Sequence, residues 1–457
     1  MTSQVDDIRI QGSPGDSSVE RNRQSRSSSY DSLFECSDLQ FDFGDLSSSK
    51  TPSPRGACKN PCQYNPNYGL KWVRDGLSLR PEWTAKPTTE SIIAMLKKTI
   101  GPEKIFHVEH MHDGTYSKLY RVSYDQQHFV MRISLPVCST TQTTSEVATL
   151  AWIHQNTNLP VPRVECYDSS QRNPLSFEWI LMSQMDGIPL SQCWKETSFG
   201  AKERIVQQIA AYAASAFEKQ FRGGIGNIYP ASPTTPITGP QTERACFDHR
   251  RGPFFHASEW TSSRLRLSYS DLMTRMQDLE NVGDRRIIER MLALIERVEA
   301  LEDRFFSSPK SSYQARAADE NQKEKTPAPT MLWHDNISLD NILVDENGIL
   351  CGVLDWQCVS CLPLHEACQF PAFLQQDLKQ YETTRLRQLF VKEMVYQCPA
   401  FVEAWANSDA RDLRDYEAAV QNCDNEFAYD LVESWVEAIE KGCRPDSLGK
   451  RLHEQLM

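Results

Sequence analysis

The chain has 457 residues and a formal net charge of -12 at pH 7. This length allows two or three compact units, or one large two-lobed unit with a tail. The acidic balance argues against a broad nucleic-acid-binding surface, which needs clustered Lys and Arg. We therefore expect a small-molecule or protein partner and no nucleic acid.

The compartment is predicted from the cysteines and from the first residues of the chain. Fourteen cysteines are scattered along it, mostly in apolar segments, and a reducing compartment is the default for such a pattern. The start MTSQVDDIRIQ lacks the apolar stretch of a secretory signal, and no run approaches the length of a membrane span. We expect a cytoplasmic protein with no membrane partner, although the Ser and Arg residues at 22–29 leave a mitochondrial location open.

Residues 1–61 are rich in Ser, Asp, Gly, Pro and Arg. Such a segment cannot bury enough apolar surface to offset the entropy of ordering, so we expect a disordered tail. Its stretches SRSSS and TPSPR are candidate phosphorylation sites through which the tail could dock on a protein partner. The alternative is a solvated tail with no defined task.

The next segment, residues 62–185, predicts a five-stranded antiparallel sheet with one inserted helix. After a Thr cap, TESIIAMLKKT has helical spacing. Apolar runs separated by turn signals then predict the strands, and SEVATLAWIHQN predicts the helix inserted after the third strand. The five predicted strands are KIFHVEHM, KLYRVSY, HFVMRISL, PVPRVECYD and FEWILMSQM.

Residues 186–457 predict helices that are interrupted by one hairpin. Helical spacing runs through residues 201–221 and 284–306 and resumes near His365. Residues 228–240 are rich in Pro and residues 311–329 are polar, so both are expected to be loops. The interruption is MLWHDNISLDNILVDENGILCGVLDWQ, residues 331–357.

The hairpin is predicted from Asn347-Gly348, a strong signal for a two-residue turn. With these residues at the centre of the turn, Asn341 faces Leu354 across the strands and Asp355 lies beside it. Residues paired across strands have Cβ atoms only about 5 Å apart, so the amide oxygen and the carboxylate come close together. Such a pair could hold Mg²⁺, which takes its other ligands from water and phosphates. The alternative is simple capping of the hairpin ends.

The stretches HDNISLDNILV and GVLDWQ resemble the catalytic loop and the metal-binding aspartate motif of the aminoglycoside phosphotransferase family, especially its fungal subgroup. Arg132 in FVMRISLP, Glu146 in SEVATL and the strand FEWILMSQMDG match further family features in the same order. The resemblance implies an α+β, bilobal protein-kinase-like fold. Its N-lobe would be the five-stranded sheet with one helix, at residues 62–185. Its mainly helical C-lobe, residues 186–457, would carry the catalytic hairpin.

The resemblance also implies a set of nucleotide-binding residues. Arg132 would hold the ATP phosphates, oriented by an ion pair with Glu146, although Arg in place of the usual Lys changes the geometry of the contact. The turn HDGTYS would cover the phosphates through Gly114 and Ser117, and an ordinary hairpin turn predicts the same letters. The remaining residues would serve the adenine: Met182, Ser183 and Met185.

The catalytic loop departs from the family pattern. Counting back five residues from Asn341, the position of the catalytic base holds Asn336, whereas His334 matches the family His and Asp335 lies one residue early. Asn can orient a hydroxyl but cannot accept its proton as a carboxylate does. We therefore expect an ATP- and Mg²⁺-dependent phosphotransferase acting on a hydroxyl of a small molecule, with Asn341 and Asp355 as metal ligands. The alternative is a catalytically impaired pseudokinase that binds nucleotide or serves as a scaffold.

Overall fold

The computed structural model describes residues 65, 67–75, 78–138, 141–222, 224–229, 254–277, 282–306, 328–375 and 380–456. The predicted tail, residues 1–61, lies outside the described residues. Residues 230–240 and 311–327, which make up most of the two predicted loops, also lie outside them. All described residues belong to one unit, Gln40–Met457.

The predicted five-stranded antiparallel sheet is present near the start of the described chain. Its strands are arranged in the order β3–β4–β5–β7–β6, and every neighbouring pair is antiparallel. The bounds in this part of the chain are β1 Leu70–Asp75, β2 Ser78–Trp83, α1 Thr89–Thr99, β3 His107–Asp113, β4 Ser117–Tyr124, β5 Gln127–Ser134, a 3-10 turn Pro136–Cys138, α2 Thr141–Asn156, β6 Val164–Asp168 and β7 Glu178–Ser183.

Helix α1 begins and ends where the sequence predicts. Thr88 accepts a hydrogen bond at Oγ1 from the Ser91 amide at 3.2 Å, and Ser91 Oγ accepts one from the Thr88 amide at 3.1 Å. This reciprocal capping satisfies two amides that the helix itself leaves without partners. Local chemistry is therefore sufficient to define this helix start.

Helix α2 begins at Thr141, four residues before the predicted Ser145. Its first two turns are polar in sequence, yet Gln142, Thr143 and Ser145 are buried. Because packing against the rest of the protein decides the start of this helix, apolar periodicity alone placed it too late.

An outer layer, which consists of β1, β2 and α1, covers one face of the sheet. Strands β1 and β2 pair along their full length, and the sequence analysis did not predict them. Pro81 lies opposite Trp72 within this pair, and a Pro normally argues against a strand. A core of Leu96, Met131 and Ile133 fills the space between the outer layer and the sheet.

The second part of the chain is mainly helical, as predicted. Its bounds are β8 Ile188–Pro189, α3 Leu190–Cys193, α4 Phe199–Glu218, α5 Ala257–Gln277, α6 Val282–Ala300, α7 Glu302–Phe306, β9 Thr330–Trp333, β10 Ile342–Val344, β11 Leu350–Val353, β12 Ser360–Pro363, α8 Leu364–Ala367, α9 Ala372–Gln375, α10 Gln380–Gln397, α11 Pro399–Ala406, α12 Ser408–Asn422, α13 Tyr429–Glu440 and α14 Leu448–Leu456. One core joins α2 and β7 to the hairpin β10–β11, and a second lies among α5, α6 and α12–α14.

The hairpin β10–β11 is present, but its turn differs from the predicted one. Asp345 and Ile349 close a three-residue loop, because the Asp345 carboxylate accepts hydrogen bonds from the amides of Asn347 and Ile349 at 2.9 and 2.8 Å. Gly348 takes the left-handed conformation, with φ +69°. A bulge at Cys351 then shifts the pairing by one residue. The predicted two-residue turn is therefore wrong, because the Asp345 side chain stabilises the longer loop.

The bulge restores the predicted register at the other end of the hairpin. Ile342 pairs with Val353, and the Leu354 amide donates to the Asn341 carbonyl at 2.8 Å. The mixed architecture of an antiparallel sheet followed by helices and the hairpin β10–β11 confirms the predicted fold class. Among the helices of the described part of the chain, none is long and apolar enough to cross a membrane.

Candidate active site

The predicted catalytic loop follows β9 and is held by the buried His334. Its ring Nε2 lies 3.1 Å from the Leu354 carbonyl, and its Nδ1 accepts a hydrogen bond from the Asn336 amide at 3.2 Å. These partners suit a neutral ring that carries its proton on Nε2. Burial lowers the pKa of His334 below its ordinary value. His334 therefore ties the loop to the end of β11 without carrying a charge.

Asn341 connects the two sides of the loop. Its Nδ2 donates to the Asn336 carbonyl at 2.9 Å, and its own carbonyl accepts from the Leu354 amide. Because the NH₂ group of the side chain is engaged in the loop, the oxygen Oδ1 is left as the group available to a cation.

Asp355 lies two residues after the end of β11 and is exposed. Its backbone is left-handed, with φ +65°, which costs a residue with a Cβ about 1–2 kcal/mol. Such a conformation persists only where the surrounding structure imposes it, and it is common at functional sites. Here the next residue, Trp356, is buried and packs on His334 with ring centroids 4.6 Å apart.

An amide oxygen and a carboxylate thus lie at adjacent ends of the hairpin. No group of three or more His, Cys, Asp or Glu residues in the described part of the chain could hold a metal ion. The donor set suits Mg²⁺, since this ion is commonly held by one or two protein oxygens together with water and substrate phosphates. The residues present therefore fit the predicted ion.

Arg132 and Glu146 form a buried ion pair between β5 and α2. The two residues are 5% and 3% exposed, so each charge depends on the other for compensation. Burial lowers the pKa of Arg132 to about 10, and the negative charge of Asp355 opposes that shift. Arg132 lies on β5, which is flanked by β4 and β7, so it is not on an edge strand.

The residues predicted to serve adenine lie at the end of β7. Met182 is buried. The Ser183 amide donates to the Arg163 carbonyl at 2.8 Å, and the Gln184 amide donates to the His128 carbonyl at 3.2 Å. Both amides are therefore engaged with neighbouring backbone. The Met185 amide makes no backbone hydrogen bond to another described residue, so it is the amide of this segment best placed to meet a ligand.

Gly352, which contacts Met185, was not predicted as a site residue from the sequence. The Met185 side chain packs on Gly352 of β11, where a Cβ would lie 3.0 Å from Met185 Cε. A glycine inside a strand often marks such a close approach, and this was the available signal. Gly352 therefore allows Met185, two residues after β7, to contact the hairpin β10–β11.

The predicted phosphate-covering turn is a tight hairpin between β3 and β4. The Gly114 amide donates to the Ser117 carbonyl at 2.8 Å, so this amide is engaged inside the turn. Thr115 and Tyr116 form its tip. Ser117 pairs with Ser134 and Leu119 with Arg132, and paired residues point to the same face of a sheet. Ser117 therefore shares a face with Arg132.

Comparisons with known proteins place these observations in a family. A subtelomeric hrmA-associated cluster protein of Aspergillus fumigatus is 23% identical over 321 residues, which cover 61% of this chain and 62% of that protein. The match thus spans less than two thirds of the relative. The mitochondrial protein "Altered inheritance of mitochondria protein 9" of Candida glabrata is 28% identical over 145 residues, 26% of this chain and 22% of that protein.

Among solved structures, the aminoglycoside phosphotransferase APH(4)-Ia is 14% identical, with a TM-score of 0.44 over 78% of this chain and 100% of that chain. The model of the phosphotransferase enzyme family, APH, matches residues 108–366, more than half of the chain. This segment begins in β3 and ends in α8, so it contains Arg132, Glu146 and the whole hairpin β10–β11. The protein belongs to the phosphotransferase enzyme family.

Proposed function

We propose that the protein transfers a phosphoryl group from ATP to a hydroxyl of a small molecule in a Mg²⁺-dependent reaction. The observation that carries the proposal is the meeting of Asn341 and Asp355 at the ends of the hairpin β10–β11, where the Leu354 amide donates to the Asn341 carbonyl at 2.8 Å. These two residues would supply oxygens suited to Mg²⁺, and the buried Arg132, paired with Glu146, would supply a cation suited to phosphate. Membership of the phosphotransferase family supports the same reaction class.

Phosphoryl transfer requires mainly that the protein positions the reactants and neutralises charge. Each residue of the site would have one of these roles. Arg132 would bind phosphate oxygens with an orientation fixed by Glu146. Asn341 and Asp355 would hold Mg²⁺, which neutralises charge on the transferred group when it is bound. Met185 would present its amide to the adenine. Asn336 would orient the acceptor hydroxyl by a hydrogen bond.

A second candidate function is a pseudokinase, and the geometry of Asn336 favours it. The Asn336 amide donates to His334, and its carbonyl accepts from Asn341. A shift of the loop that brought Asp335 to this position would break both hydrogen bonds. The exposed Asp335 therefore lies beside the base position, which supports a slow or absent turnover.

The decisive experiment measures MgATP binding by calorimetry and ADP formation with a panel of hydroxylated small molecules. Wild type, Asp335→Ala and Asn336→Asp are compared. For an enzyme that uses Asp335, we expect Asp335→Ala to lower the rate by roughly 10²–10⁴-fold, the usual contribution of a general base. For a protein that lacks its base, we expect Asn336→Asp to raise the rate or to create activity.

The same measurements can refute the proposal. If wild type does not bind MgATP, neither candidate function is correct. If it binds MgATP and Asn336→Asp creates activity that wild type lacks, the pseudokinase is the correct candidate. The cytoplasmic location, the lobe boundary near residue 185 and a protein partner for the tail stay predictions.

A further inference from the structure

Lys118 is a buried lysine on the face of the sheet opposite Arg132. It pairs with Ile133 on β5, whereas its neighbour Leu119 pairs with Arg132. Since successive residues of a strand point to opposite faces, Lys118 points toward the outer layer. Its side chain is only 3% exposed. Lysine is seldom buried without a partner, because its charge loses hydration.

The partners of Lys118 are a carboxylate and an aromatic ring. Its Nζ lies 2.6 Å from Asp113 Oδ1 and 4.8 Å from the centre of the Trp83 ring in β2. Asp113 is also contacted by His110 Nε2 at 2.8 Å and by Lys86 Nζ at 3.6 Å. The hydrogen bonds from Lys118 and then His110 hold the pKa of Asp113 well below its ordinary value. The Asp113 carboxylate is therefore contacted by three basic side chains, of which Lys118 is the buried one.

This ion pair lies at the base of the turn that follows β3. Asp113 and Lys118 are the last paired residues before it. The Gly114 amide closes it on the Ser117 carbonyl, and the Leu135 amide donates to the Tyr116 carbonyl, each at 2.8 Å. The turn is thus tied to the end of β5 at its tip and to the outer layer at its base.

We propose that Lys118 is a positioning residue for nucleotide binding. Through Asp113 it holds the turn 114–117 at the place where Ser117 meets the nucleotide phosphates, and the Trp83 ring packs on the Lys118 ammonium group. This inference rests on the function proposed above. It gives the outer layer a role in phosphate binding, although Lys118 and Trp83 do not touch the nucleotide.

The test compares the dissociation constants of MgATP and adenosine in wild type, Lys118→Met and Lys118→Arg. Methionine keeps the length and apolar stem of the side chain but removes the ion pair. We expect Lys118→Met to weaken MgATP binding about tenfold, the size of one lost charge-assisted hydrogen bond. Adenosine binding should not change, because adenosine has no phosphates. Lys118→Arg should recover part of the affinity for MgATP.

Lys86→Met is the matched control, because Lys86 also approaches Asp113 but its side chain is 70% exposed. An exposed pair contributes little, so MgATP affinity should change less than about twofold. Equal weakening of MgATP and adenosine would overturn the inference, since it would indicate general damage to the lobe. Unchanged MgATP affinity in Lys118→Met would also overturn it, whereas no binding by wild type would refute the proposed function as well.

Should Lys118→Met fail to fold, Asp113→Asn replaces it, because Asp113 is 45% exposed and its substitution leaves no bulky side chain to accommodate. The expected result is the same selective loss of MgATP affinity. Loss of affinity for both ligands, or for neither, contradicts the inference for this variant too.

Discussion

The two halves of the candidate site use opposite ways of holding a charge. In the N-terminal half, Arg132 and Glu146 compensate each other almost completely out of contact with water. In the C-terminal half, Asp355 is exposed, and the hydrogen bonds of the loop hold the backbone of the preceding residue, Leu354. A buried pair must be compensated for the protein to be stable, whereas an exposed carboxylate is not needed for stability. Changes in the first half should therefore alter stability, and changes in the second half should alter ligand binding and activity.

Among changes to the proposed Mg²⁺ ligands, Asp355→Asn should have the largest effect on activity. Asparagine tolerates the left-handed backbone of this position but carries no charge to hold Mg²⁺. We expect the rate of ADP formation to fall roughly 10²–10³-fold, as for the loss of one strong electrostatic contact to a transition state. The melting temperature should not change.

The control for Asp355→Asn is Asp340→Asn, which changes an exposed acid of the same loop. It should leave both the rate and the melting temperature near wild type. A large fall in melting temperature for Asp355→Asn would contradict the proposed difference between the two halves of the site.

Glu146→Ala should have the largest effect on stability. It leaves the buried guanidinium of Arg132 without its partner, which costs about 3–5 kcal/mol of unfolding free energy. The double variant Arg132→Met with Glu146→Leu removes both charges, so its unfolding free energy should return close to that of wild type. Binding of MgATP should be lost in both variants. Denaturant unfolding and calorimetry provide the two measurements.

Glu109→Ala is the matched control, because Glu109 forms an ion pair with Arg121 in the same sheet but is largely exposed. Its unfolding free energy should change by less than about 1 kcal/mol. If the double variant is as unstable as Glu146→Ala, the buried charge is not what destabilises the single variant.

A third variant tests whether a buried ionisable group also controls stability in the C-terminal part of the chain. In the C-terminal part, burial and the charge of Glu417 raise the pKa of Glu366 to about 8. Burial also raises the pKa of Glu417 to about 7 and lowers that of His365 to about 4. His365 Nε2 lies 2.7 Å from Glu417 Oε1, so the three groups form one cluster between α8 and α12.

The direction of the pH effect follows from proton binding. A carboxyl whose pKa is higher in the folded chain binds more protons there, so stability falls as pH rises from 4.5 toward the folded value. The lowered pKa of His365 acts in the opposite direction, but only below its ordinary value of 6.5. From pH 6.5 to 8 the two glutamates therefore dominate.

We expect the unfolding free energy to fall by on the order of 1 kcal/mol between pH 6.5 and 8. Glu366→Gln resembles the protonated side chain and should reduce this slope, whereas Glu346→Gln, at an exposed position, should keep it. Denaturant unfolding at several pH values measures the slope. An unchanged slope in Glu366→Gln would show that this cluster does not control stability.

The hairpin β10–β11 is only partly predictable from the sequence. The predicted register next to Asn341 is correct, although the predicted two-residue turn is wrong. The bulge at Cys351 shifts the pairing by one residue and so compensates for the longer loop. The Asp345 side chain selects the longer loop. Turn preferences describe isolated residues, whereas this loop depends on a side chain outside the predicted turn.

In the N-terminal part of the described chain, one element was predicted and another was missed. Helix α1 was predicted to the residue, because its cap lies entirely within adjacent residues. The hairpin β1–β2 was missed, because its strands are stabilised by contacts with residues distant in the chain, such as Trp83 with Phe177 at 5.3 Å between ring centroids. Hydrogen bonds between adjacent residues can be predicted from the residue types in a short stretch of sequence. Packing between distant segments cannot be predicted in this way.

The sequence by itself determined the strands of the main sheet, the capped helix α1 and the hairpin that brings Asn341 close to Asp355. These depend on alternation, capping and spacing, which act over a few residues. Only the tertiary structure decided that the predicted ion pair of Arg132 with Glu146 is buried, that the Ser183 amide is engaged by Arg163 and that Lys118 lies under the turn that follows β3. Each of these depends on which distant segments pack together, because burial determines whether a charge needs a partner and whether an amide remains available to a ligand.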